Sequence, residues 1–146
     1  MITTETEYRT TQQALWRLEA IDLPAEQERW LAEGASEADL DELLAQTRSQ
    51  AAELRDRLTL YERIRAGDLS MFHRLTDVGD ALIAARIAKG WTQRELAARL
   101  GVHGSQVSRD ERAAYYGVTA ERLQTVLNVL GVQVEAAFIL DKATRH

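Results

Sequence analysis

Leu44, Thr47, Ala51, Leu54, Leu58 and Tyr61 step along the chain by 3, 4, 3, 4 and 3 residues. That spacing puts them on one side of an α-helix, as a heptad seam. It fixes one long helix from about Glu37 to Ala66, and an apolar seam of that length must be covered. Two partners satisfy it. One is the first helix of the same chain, folded back as a helical hairpin. The other is the same seam of a second copy, in a coiled coil.

The segments before it carry helix punctuation. Thr4 with Glu7 three residues later is a capping-box start, and Tyr8, Leu15, Leu18 and Ile21 follow at roughly helical spacing. Pro24 opens a short second helix that Gly34 ends. Ser36 with Asp39 signals the start of the long helix. Gly67 and Asp68 break it, and residues 67–74 read as a linker.

Beyond the linker the helices become short. Thr76 or Asp77 can cap a helix with Leu82, Ile83, Arg86 and Ile87 on its inner face, ending at Lys89 and Gly90. Thr92 and Glu95 form a full capping box for a helix that Gly101 closes. A third helix spans about Gly104 to Arg112. A fourth runs from about Thr119 to Leu130, with Leu123, Val126, Leu127 and Leu130 on one face and Gly131 as its stop. The segment from Val132 to Leu140 is β-branched and apolar and alternates in its first half, so it reads as a strand. A lone strand needs a ladder partner, and the same strand of a second copy is the economical one. Val132, Val134, Ala136, Phe138 and Leu140 are the expected dimerisation residues. The fold expected is therefore mainly all-α. It has an N-terminal helical region (1–67), a second domain of four to five short helices (75–131) and a dimerising strand (132–140).

Composition narrows the function. The chain has 146 residues, 45% apolar and 28% charged, and no cysteine. Disulfides, thiol nucleophiles and cysteine zinc sites are excluded. The longest apolar runs are far short of the about 20 residues a membrane span needs, and the first residues lack the pattern of a signal peptide. A cytoplasmic protein without membrane contact is expected. His73, His103 and His146 are far apart and not at metal-ligand spacing, and there is no glycine-rich phosphate loop. No enzyme activity, metal or cofactor is expected. Trp16, Trp30 and Trp91 are expected in the core or at an interface.

The net charge of −5 is unevenly spread. Residues 1–70 hold fifteen acidic against eight basic side chains. Residues 86–112 hold six basic (Arg86, Lys89, Arg94, Arg99, Arg109, Arg112) against three acidic. An acidic half joined to a locally basic one suggests two jobs.

Residues Gln93 to Arg112, QRELAARLGVHGSQVSRDER, carry the spacing of a helix-turn-helix. Two helices crossing steeply need a small residue at closest approach, supplied by Ala97. The turn needs a residue tolerant of positive φ, and Gly101 comes four residues later. The second helix needs an apolar anchor, Val107, and Leu96 and Leu100 complete the inward face.

With ALIAARIAKGWTQRELAARLGV before it, and QVSRDE and YYGVTAERLQTVLNVLGV after it, this stretch resembles the Xre family of phage-repressor-type helix-turn-helix proteins. Tyr115, Leu123 and Leu130 stand at its packing positions. The N-terminal half is similar to the helical extension of HigA-type antitoxins, and LGVQVEAAFIL to the dimerising strand of antitoxins of the HipB type.

The resemblance implies a homodimer that places one recognition helix in each of two major grooves of operator DNA, about one helical turn apart. It implies a transcriptional repressor of the antitoxin class, repressing its own operon and neutralising a toxin. A repressor without a toxin, and an interaction module with a vestigial helix-turn-helix, are the alternatives. Gly104, Ser105, Gln106, Ser108 and Arg109 would face the groove, Gln106 suited to adenine and Arg109 to guanine or phosphate. Gln93 matches the phosphate clamp, and Arg94, Lys89 and Arg112 are candidate phosphate contacts. His103 stands at the N-cap, as a cap or a backbone contact. Two residues depart from the family. Gly104 removes a side chain at the start of the recognition helix, and Asp110 places a carboxylate where an apolar residue is usual.

Overall fold

The computed structural model describes residues 1–142, and His146 lies outside the described residues. Seven α-helices run in order through them: α1 (Glu5–Glu19), α2 (Leu23–Ala32), α3 (Glu37–Arg65), α4 (Val78–Ala88), α5 (Gln93–Leu100), α6 (Gly104–Arg112) and α7 (Ala120–Leu130). A short 3₁₀ turn, Leu75–Asp77, leads into α4.

Local chemistry explains the boundaries. The side chains of Thr4, Asp22, Ser36, Thr92 and Thr119 each accept a backbone N–H three residues on, satisfying a donor the helix leaves open. Gly101 and Gly131 end α5 and α7 in the left-handed conformation, at φ 70° each.

The seam of α3 is covered from within. Ala51, Leu58 and Tyr61 are buried and Leu44, Thr47 and Leu54 half-buried, and α1 packs along this face. Tyr8 stacks on Tyr61 with ring centroids 4.8 Å apart, and the Tyr8 hydroxyl donates to Glu62 at 2.7 Å. That bond to a carboxylate raises the Tyr8 pKa above its ordinary value. The helical hairpin, rather than the coiled coil, is thus the partner of the seam. Trp16 is not in the core: it faces outward from α1, 70% exposed.

One core joins the two halves. Leu58, Tyr61 and Ile64 of α3 share it with Leu82 and Ile83 of α4, Leu96 and Ala97 of α5, Val107 of α6, and Val126 and Leu130 of α7. Ile2 is inserted into the same core, 1% exposed. Residues 67–74 are less loose than a linker reading implies, because Leu69, Met71 and Phe72 pack against this core.

The segment 132–140 differs from the strand expected there. Among the described residues no strand forms, because a ladder needs two rows of backbone groups and this chain offers no second one. Val132 packs against the core. Val134, Ala136, Phe138 and Leu140 are exposed.

Candidate nucleic-acid interface

Helices α5 and α6 meet through a short turn. Leu96, Ala97 and Val107 are each at most 2% exposed, so the three inward positions of the motif do what their spacing requires. The Thr92–Glu95 capping box is complete: the Thr92 hydroxyl accepts the Glu95 N–H at 3.1 Å, and the Glu95 carboxylate accepts the Thr92 N–H at 2.7 Å.

His103 caps α6. Its Nδ1 accepts the Ser105 N–H at 3.2 Å and lies 2.8 Å from the Ser105 hydroxyl. A step of about 100° per residue then spreads the α6 side chains. Ser105, Arg109 and Arg112 occupy its exposed side, with Val107, Asp110 and Glu111 buried behind them. Ser108 and Gln106 are half-buried at the two edges, and Gly104 adds no side chain. The Arg109 guanidinium is held by two contacts, each 3.4 Å: one to the Ser105 carbonyl and one to the Gln106 amide oxygen. Ser108 and Arg112 also line a cleft with Gln93, Thr3, Thr4, Glu7 and Asp80.

Two candidate residues are already engaged. The Gln106 amide donates to Asp110 at 3.1 Å, and the Gln93 amide donates to Glu111 at 2.8 Å. Asp110 is turned inward and does not oppose an approaching phosphate. Its other oxygen accepts from Arg122 of α7 at 2.5 Å, so the departure from an apolar residue is met by a charge partner on the next helix.

Behind α6 lies a buried ion pair that the motif spacing does not reveal. Arg86 of α4 donates from Nε and Nη2 to the two oxygens of Glu111, at 2.5 and 2.9 Å. Its remaining donors reach the carbonyls of Trp91, at 2.7 Å, and Thr3, at 2.8 Å. Arg86 therefore adds nothing to the exposed basic surface counted from sequence. Its signal was present all the same: a cation among Leu82, Ile83 and Ile87 on an apolar face must find a buried partner.

The cationic surface that remains is Lys89, Arg94, Arg99, Arg109 and Arg112, all exposed. Arg99 stacks on the Trp91 ring, 3.9 Å from its centroid, and the Lys89 ammonium lies 5.7 Å from the same ring. The loop after α6 is strained: Ala114 and Tyr115 have φ of 50° and 58°. This turns Tyr115 into the core, where burial pushes its hydroxyl pKa up, and leaves Tyr116 outside.

Among the described residues no helix is long and apolar enough to cross a membrane. No curated protein and no solved structure is similar enough to the chain to count as a match. Residues 82–136 match the helix-turn-helix family model, over the stretch that contains α5, its turn and α6.

Proposed function

We propose that the protein is a transcriptional repressor that reads an operator with α6 and has no catalytic activity of its own. The observation that carries this reading is the outer side of α6. It presents Ser105, Arg109 and Arg112 to solvent, while its own acids, Asp110 and Glu111, are turned inward onto arginines. A helix so arranged offers donors to base edges and phosphates without an opposing charge. Arg109 is pre-oriented by its two local contacts and suits guanine.

Two copies act together, in the cytoplasm. The exposed apolar side chains of Val134, Phe138, Ile139 and Leu140 support a homodimer in which segment 132–140 of one copy pairs with that of the other. The antitoxin role rests on the N-terminal half. Exposed carboxylates of Glu28, Glu33, Asp39, Asp41, Glu42, Glu53 and Asp56, on α2, its C-cap and α3, give this half an acidic excess suited to a basic toxin.

The test is fluorescence anisotropy on the DNA upstream of the gene, beside scrambled DNA, across a salt series. Preference for the upstream DNA with a steep salt dependence is the expected result. Arg109→Ala is expected to weaken binding by about 1–3 kcal/mol and to relax preference at one position. Absent or salt-insensitive binding would favour an interaction module, a reading supported by Gly104 and by the engaged amides of Gln93 and Gln106.

A further inference from the structure

A cleft of about 490 Å³ opens where the N-terminal helices meet the start of α5. Its walls come from three separate parts of the chain. Arg9 projects from α1, Arg65 from the last turn of α3, and Arg94 from the first turn of α5. Thr92 and Gln93 lie at its edge, and the backbone N–H groups of Gln93 and Arg94 make no hydrogen bond among the described residues. One carboxylate, Glu5, faces these three cations. It accepts from Arg65 at 2.6 Å and lies 3.5 Å from Arg9. Arg94 has no ion-pair partner among the described residues, and all three arginines are exposed.

We infer that this cleft holds a DNA backbone phosphate, so that Arg9 and Arg65 of the N-terminal helices extend the nucleic-acid interface beyond the helix-turn-helix. Three observations support it. Three guanidinium groups converge against a single carboxylate, which leaves an excess of positive charge in an otherwise acidic half. The cleft is open, as a contact with a long polyanion requires, and does not enclose a small ligand. It also adjoins the first turn of α5, whose free N–H groups and positive dipole end favour the same charge. Glu5 holds Arg9 and Arg65 in place and tempers their charge.

The inference rests on the operator-binding reading, and one experiment separates the two. DNA affinity of the full chain is measured across a salt series for wild type, Arg9→Gln, Arg65→Gln, Glu5→Gln and Arg48→Gln. Arg48 lies on α3 away from the cleft and serves as control. Each cleft arginine is expected to weaken binding equally on upstream and scrambled DNA, and to flatten the log–log salt slope by about one. Glu5→Gln, which frees both arginines, is expected to strengthen binding, and Arg48→Gln to leave it unchanged. Wild-type slopes shared by both arginine variants and by Glu5→Gln would overturn this inference and leave the operator reading standing. Pyrophosphate binding that the arginine variants abolish, without change in DNA affinity, would overturn it in favour of a free anion. No DNA binding by the wild type would overturn both.

Discussion

Arg86 and Glu111 form a two-pronged ion pair whose side chains are only 4% and 3% exposed. It ties α4 to the back of the recognition helix. In so dry a place the loss of one partner strands the other. Arg86→Ala or Glu111→Ala is expected to cost about 3–5 kcal/mol, measured by urea unfolding. Replacing both by apolar residues of similar volume is expected to recover only part of that stability, because the Trp91 and Thr3 carbonyls and the Gln93 amide lose their partners.

Asp110 and Arg122 form a weaker tie between α6 and α7, because the Arg122 side chain is 38% exposed and can rehydrate. Arg122→Ala leaves the 10%-exposed Asp110 side chain with Gln106 alone. A loss of about 1–3 kcal/mol is expected. DNA affinity is expected to fall as well, since the charge of the carboxylate behind α6 is no longer balanced by Arg122; anisotropy at fixed salt would show it.

Gly79 cannot carry a side chain. A Cβ there would lie 1.8 Å from the carbonyl oxygen of Ala114, which is backbone and already at positive φ. Gly79→Ala is expected to cost at least the upper end of the about 1–3 kcal/mol typical of overpacking, read as a fall in thermal midpoint.

The His103 cap is modest. His103→Ala is expected to destabilise α6 by about 0.5–2 kcal/mol, and His103→Ser to retain most of the stability, since a serine oxygen accepts the same kind of N–H. Circular dichroism melts would rank the three proteins.

Asp68 titrates at about 2 rather than 3.8, because it accepts from the Ser70 hydroxyl and N–H and from Arg63. Its folded value lies below its ordinary one. The stabilisation it brings is therefore complete above about pH 3.8 and fades as pH falls toward 2. Carboxyl-detected NMR is expected to show this midpoint, and Ser70→Ala to raise it.

Much of this was legible in the sequence because the signals were local. Thr92, Glu95 and Gly101 act within one turn of where they stand, so their spacing located α5 and the turn into α6. The α3 seam was legible too, although only the packing of α1 chose the hairpin over the coiled coil. The long-range partners were not legible. Nothing near Asp110 in sequence announces Arg122, and nothing near Arg86 announces Thr3 or Glu111. Segment 132–140 has the composition of a strand, but a strand is a relation between two segments and this chain contains one.

The bond from Arg86 to the Thr3 carbonyl spans 83 residues of chain, with Ile2 seated in the core beside it. The division after α3 is one of sequence, not of folding. A fragment cut at residue 75 would lose Ile2 and the Thr3 acceptor, opening a hole at the centre of what remained. Closing so long a loop adds entropy only logarithmically, yet it delays the last native contacts until both halves have met. The helical part of the chain is thus built to melt in one transition, with its N-terminal end unable to loosen independently of its middle.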